Sequence, residues 1–185
     1  MVELSNRFEQ ALVYAFRLHR SQVRKGTEIP YITHLLSVAA LVLEDGGNEN
    51  EAIAALLHDA IEDQGGDRTR QKIYELFGQS VVEIVEGCTE SDVIPKPPWK
   101  ERKQAHLDRL RTASASVRRV VLADKLHNAR STLAECQQKG NVVWDKFKAG
   151  REGALWAYHR FLAIEDAGTP MRNELEQLVA ELERV

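Results

Sequence analysis

Residues 53–63 read Ile53-Ala54-Ala55-Leu56-Leu57-His58-Asp59-Ala60-Ile61-Glu62-Asp63, and their periodicity decides the fold class. At 100° per residue, Ile53, Leu56, Leu57, Ala60 and Ile61 fall on one apolar stripe, the pattern of a helix packed against a core. His58, Asp59, Glu62 and Asp63 fall on the other side, as two neighbouring i,i+4 rungs. A solvated helix face is the ordinary meaning of such a pattern. Here three carboxylates and an imidazole stand together with no Lys or Arg beside them, and they repel one another unless a cation sits among them. Upstream, the same face carries Ala52 and Ala55, where a freely solvated surface would carry Lys and Glu. The pattern suggests a metal site, which would need two further ligands from elsewhere in the chain.

Composition limits what such a site can serve. A chain of 185 residues is long enough for one domain with a substantial core. The 25 basic and 28 acidic residues give a net charge of −3, so no global charge favours nucleic acid or an anionic membrane. Any basic site must be local. Cys88 and Cys136 lie far apart with no CxxC spacing, which points to reduced thiols in a cytoplasmic protein. No signal peptide is apparent, and no apolar run approaches the ~18 residues needed to span a bilayer.

Working outward, Ser5 can cap a first helix with Phe8, Leu12, Ala15 and Phe16 inward, running to about Ser21. Arg24 and Lys25 precede Gly26 and Pro30 and belong on a turn. A second helix is expected over Tyr31–Glu44, with Leu35, Val38, Ala39 and Val42 inward and His34 in its first turn. A lone His there is more often structural than a ligand. Asn48 with Glu51 offers a capping box for the central helix, and Gln64-Gly65-Gly66 stops it after Asp63. Helices follow at about 67–77, 79–88, 99–112 and 117–138, with a proline-rich loop at 89–98. The helix from Trp99 carries Lys100, Arg102, Lys103, Arg109 and Arg111. In the helix after it, Asp124, Asn128 and Ser131 share one face at i, i+4 and i+7. Two last segments run from about Val142 to Asp166 and from Pro170 to Arg184, the second capped by Thr169. No period-2 strand stands out, so the expectation is all-α.

His34, the doublet His58-Asp59 and Asp124, in that order on three helices, resemble the H…HD…D signature of the HD phosphohydrolase superfamily. Longer blocks sharpen the resemblance: Arg24-Lys25-Gly26-Thr27, Pro30-Tyr31-Ile32-Thr33-His34, His58 to Asp63, and Leu122-Ala123-Asp124-Lys125-Leu126-His127-Asn128. They are similar to the hydrolase half of RelA/SpoT proteins. In length the chain is similar to the stand-alone small alarmone hydrolases, the metazoan SpoT homologue among them. The matching blocks span roughly 19–131 and leave the C-terminal third unanchored. The resemblance implies an HD-domain helical bundle forming a single domain over residues 1–185.

It also implies roles. His34, His58, Asp59 and Asp124 would bind a metal, Mn²⁺ by resemblance, although two imidazoles and two carboxylates equally suit Fe²⁺, Mg²⁺ or Zn²⁺. Glu62 and Asp63 would be catalytic, one activating water and one protonating the leaving group, in an order the sequence leaves open. Arg24 would pack on the base, Lys25 would face the phosphates, and Asn128 and Ser131 would reach the nucleoside; Lys100, Arg102 and Lys103 could add charge. The implied reaction is metal-dependent hydrolysis of the 3′-pyrophosphate of guanosine-3′,5′-bis(diphosphate), or of its pentaphosphate analogue, to GDP or GTP and pyrophosphate. No residues remain for a synthetase domain. The same reaction on an adenosine alarmone, removal of the NADPH 2′-phosphate, and a non-catalytic nucleotide-sensing module are the alternatives. Three departures from the family pattern bear on nucleotide choice and not on the metal ligands. The loop between Lys25 and Pro30 is one residue longer than in many bacterial enzymes, Ser131 replaces Thr, and Gln64-Gly65-Gly66 replaces a Thr.

Overall fold

A computed structural model describes residues 2–93 and 95–185; Met1, and Ile94 within the expected proline-rich loop, lie outside the described residues. The chain forms α1 (Asn6–Leu18), α2 (Ile32–Glu44), α3 (Glu49–Leu57), α4 (Ala60–Asp63), α5 (Gly66–Phe77) and α6 (Gln79–Cys88). After the loop come α7 (Trp99–Leu110), α8 (Ala115–Lys139), a 3-10 turn (Gly140–Lys146), α9 (Gly150–Leu162) and α10 (Pro170–Leu182). Among the described residues the only β pairing is an isolated antiparallel bridge between Val23 and Pro30, which closes the turn holding Arg24 and Lys25. The expected all-α bundle is present. No helix of the described residues is long and apolar enough to cross a membrane.

The stretch 53–63 lies at the centre, but not as one amphipathic helix. Ala52 to Leu57 are all fully buried, so α3 has no solvated face. Its alanines are contact surfaces, and α3 touches α1, α2, α6 and α8. The apolar stripe is buried as expected, and so are Ala52 and Ala55 on the other side, where small residues let neighbouring backbones approach. Nor is the helix continuous. It ends at Leu57 and resumes at Ala60, with Asp59 at φ −96° and ψ −3°. In an unbroken helix, neighbouring side chains splay apart and do not face each other. The break at His58-Asp59 lets the two converge.

Local signals set most of the other ends. Ser5 accepts from the Arg7 N–H, Asn48 and Glu51 form the reciprocal capping box, and Ser114 and Thr169 cap α8 and α10. The first helix stops at Leu18, short of Ser21, and it buries Ala11 and Ala15 while Phe16 is half exposed. The segment expected from Val142 to Asp166 breaks in two: Gly150 takes φ +61°, a left-handed conformation that a helix interior does not tolerate. Leu35, Val38, Ala39 and Val42 point inward from α2 as expected. Helix α8 packs on α2, α3, α6 and α10, and α9 packs on α7. One continuous hydrophobic core runs from Ala11 to Leu182, and the C-terminal third is part of it.

Candidate active site and metal centre

Three helices bring four donor side chains to one point. The first turn of α2 places His34, the α3–α4 break places His58 and Asp59, and α8 places Asp124. His34 Nε2 lies 3.2 Å from Asp124 Oδ1 and 3.7 Å from Asp59 Oδ2; His58 Nε2 lies 3.0 Å from Asp59 Oδ2 and 3.7 Å from Asp124 Oδ1. A first-row ion at ~2.0–2.3 Å from each donor requires donors roughly 2.8–3.8 Å apart, for angles between octahedral and tetrahedral. These four His–Asp spacings fall in that range, and donor atoms of His34, His58 and Asp59 all lie within 4.8 Å of one another, so the residues present fit a divalent metal.

The imidazoles are oriented for it. His58 Nδ1 donates to the Ala55 carbonyl at 2.8 Å, leaving Nε2 as a buried nitrogen with no hydrogen-bond partner among the described residues. Such an orphan is costly unless something binds it. His34 Nδ1 lies 2.7 Å from His127 Nδ1, which turns His34 Nε2 toward the cluster. Burial, helped by His34 and Arg24, pushes His127 down to about 4, so its ring is neutral and can accept the His34 hydrogen. Asp59 accepts from the Tyr31 hydroxyl at 2.5 Å. Asp124 accepts from Lys125 Nζ at 2.7 Å and from Asn128 Nδ2 at 2.5 Å.

The charges are strongly coupled. Burial would raise the pKa of Asp124, but Lys125 and the two imidazoles outweigh it and hold it well below the usual carboxylate range. Asp59 is likewise lowered, because His58 outweighs its burial. Burial lowers His34, only partly offset by Asp124. For His58, burial also opposes the charged form, but Asp59 and Asp124 outweigh it and raise the pKa well above the ordinary value. Asp63 is pushed up, chiefly by burial and then by the charge on Asp59.

The donors lie against a cavity of about 410 Å³. Glu62 and Asp63 line it, as do Arg24, Lys25 and Asn128. Arg24 donates to Asn128 Oδ1 at 2.7 Å and stands 5.8 Å from the Tyr31 ring centroid. Ser131 is not in the lining; Thr132, one position further along α8, is. Helix spacing alone does not select Thr132: at 100° per residue Ser131 falls about 20° from the Asp124 direction and Thr132 about 80°.

The expected lack of cationic neighbours around the acidic rungs is also corrected. Lys96 Nζ lies 2.7 Å from Glu62 Oε1, and the Arg102 guanidinium lies at 4.0 Å from the same oxygen. These partners come from the proline-rich loop and from α7, too distant in sequence for helix spacing to reveal. Of the basic residues on α7, Lys103 lines the cavity, Arg102 pairs with Glu90, and Lys100 sits over Trp156. Sequence reading gave no role to Tyr31, His127, Thr132 or Tyr158, although the first two lie inside the recognised blocks.

An all-helical bundle with H…HD…D donors converging beside a partly basic cavity defines a metal-dependent phosphohydrolase architecture. The HD domain family matches residues 11–155, and the chain belongs to it. It is 33% identical over 172 residues to the guanosine-3′,5′-bis(diphosphate) 3′-pyrophosphohydrolase MESH1 of Xenopus tropicalis, covering 91% of this chain and 90% of that protein. It is 32% identical to the Homo sapiens protein of the same name, with the same coverage. The fold superposes on the solved structure of a metazoan ortholog of SpoT that hydrolyses ppGpp, with a TM-score of 0.79, 25% identity and 96% of each chain covered.

Proposed function

We propose that this protein hydrolyses the 3′-pyrophosphate of guanosine-3′,5′-bis(diphosphate), and of its pentaphosphate analogue, to GDP or GTP and pyrophosphate. The observation that carries the reading is the cluster of His34, His58, Asp59 and Asp124, with each imidazole 3.0–3.7 Å from both carboxylates, beside a cavity whose wall also carries Arg24, Lys25, Lys103 and Lys125. Close similarity in sequence to enzymes named for this reaction, over nine-tenths of the chain, supports it.

Those four residues would hold the metal, and Mn²⁺ suits their mixture of nitrogen and oxygen donors. A bound divalent ion would supply a water of lowered pKa and polarise a phosphoryl oxygen. The rest falls to the protein. Water adds to the phosphorus attached to the 3′-oxygen, the P–O3′ bond breaks, and a proton reaches the 3′-oxygen as pyrophosphate departs. Glu62 is held by Lys96 and by the Glu90 N–H, so it acts as a fixed anion orienting the water. Asp63 accepts the Gln22 amide at 2.8 Å and has no cation holding it among the described residues, and its raised pKa suits it to carry the proton. Arg24 and Lys25 offset the substrate's negative charge, with Arg24 presenting a planar face to the base. Asn128, bridged between Arg24 and Asp124, ties the nucleoside end of the cavity to the donors.

Purified protein with Mn²⁺ should release pyrophosphate from the guanosine compound and lose that activity in chelator. Adenosine-3′,5′-bis(diphosphate) and NADPH are the comparison substrates. Pyrophosphate release from none of the 3′-pyrophosphorylated nucleotides, by a protein that binds Mn²⁺, would leave a nucleotide-sensing module in its place.

A further inference from the structure

Helix α7 presents to the cavity a side chain that the reaction above does not use. His106 is 6% exposed and lines the wall beside Leu107 and Leu110. Its Nδ1 lies 3.2 Å from Arg109 Nη2, and the same guanidinium nitrogen is anchored to the carbonyls of Thr89 at 2.9 Å and Glu90 at 3.1 Å. A guanidinium has only hydrogens to offer, so Nδ1 presents its lone pair and the ring hydrogen sits on Nε2. Burial, with the charges of Lys125, Arg109 and Lys103, pushes the ring down to about 3. At neutral pH, His106 is therefore an uncharged hydrogen-bond donor in the cavity wall.

Its neighbours are cationic. Lys103 and Lys125 line the same cavity, and each keeps about a quarter of its side chain exposed. Lys125 Nζ is 2.7 Å from Asp124 Oδ2, while Asp124 Oδ1 faces the two imidazoles of the donor cluster. Lys125 thus joins the metal donors to the wall that also carries His106 and Lys103. Glu90, a carboxylate of the same wall, is already bound by Arg102 and Lys103. Two ammonium groups and a fixed N–H donor, adjoining a metal site, match an anion of more than one phosphoryl group.

We propose that Lys103, Lys125 and His106 form a subsite for the distal phosphoryl group of a pyrophosphate whose proximal group lies at the four metal donors. The proposal rests on the reading that the substrate carries a 3′-pyrophosphate. It makes this wall of the cavity the part that distinguishes a pyrophosphate from a phosphate monoester, since a monoester has no second phosphoryl group to reach it.

The test is calorimetric binding of inorganic pyrophosphate and orthophosphate to the Mn²⁺-loaded protein. His106→Phe should weaken pyrophosphate about tenfold or more and orthophosphate by less than about twofold, the size expected for loss of a hydrogen bond to a charged group. His106→Gln, whose amide can place an N–H near the imidazole Nε2, should restore most of the affinity. Lys103→Met lies on the more exposed side, leaves Glu90 its Arg102 partner, and should show the same selective loss even if His106→Phe fails to fold. Pyrophosphate affinity unchanged in both His106→Phe and Lys103→Met, or an equal loss for both anions, overturns the subsite. The substrate reading fails separately. A protein that binds pyrophosphate through these residues but turns over no alarmone keeps the subsite and loses the substrate; turnover with pyrophosphate affinity insensitive to both variants does the reverse.

Discussion

Glu62 and Asp63 are neighbours in sequence with different surroundings. Glu62 is pinned by Lys96 and the Glu90 N–H, whereas Asp63 meets only Gln22 and has its pKa raised by burial and by Asp59. Neither is among the four donors. Glu62→Gln and Asp63→Asn should therefore leave metal content nearly intact while cutting kcat by roughly 10²–10⁴-fold, the usual scale of lost proton transfer. Asp124→Asn removes a donor and should lose the metal itself. Metal analysis beside single-turnover kinetics separates the two classes; equal metal loss in all three would make Glu62 and Asp63 ligands.

At the scale of elements, the cavity depends on how closely α6 meets α8. A Cβ added at Gly87 would lie 2.5 Å from Val117 Cγ2 and 2.7 Å from Val117 Cγ1, so the helices touch backbone to side chain with no room for a methyl group. Thr89 and Glu90, whose carbonyls anchor Arg109, follow directly. Gly87→Ala gains helix propensity but must push α6 off α8, and overpacking of this kind costs about 1–3 kcal/mol. Urea denaturation should show that loss. A change below about 0.5 kcal/mol would mean that α6 can slide, and the wall would then not be rigid.

For the whole molecule, metal and proton compete. In the metal-free protein His58 has a raised pKa, so its contribution to stability is complete below the unfolded value of about 6.5 and is lost as pH rises through the folded one. Asp59 and Asp124 have lowered values; their contribution is present above about 3.9 and lost as pH falls. An ion replaces the His58 proton, so metal affinity should rise with pH, with proton release on binding. Thermal melts with Mn²⁺ and with chelator should show a stabilisation that widens between about pH 6 and pH 8, reaching about 2.7 kcal/mol at a hundredfold excess over Kd. A metal-induced shift independent of pH would mean that His58 is neutral before the ion arrives.

The sequence by itself determined what depends on neighbours in the chain. Apolar spacing identified α2 and the buried stripe of α3, short polar side chains marked the caps at Ser5, Asn48 and Thr169, and the ordered blocks from Arg24 to Asn128 pointed to the HD family. The tertiary structure alone decided what depends on meetings across it. It decided what packs on the alanine face of α3, because the partner of a small residue is not written in that residue. It broke the helix at His58-Asp59, so that adjacent side chains point the same way. It brought Lys96 and Arg102 to Glu62, His127 behind His34, and His106 into the wall beside Lys125. A side chain's partner in those pairs lies tens of residues away, and the pairing is set by which helix faces the packed core leaves opposite one another.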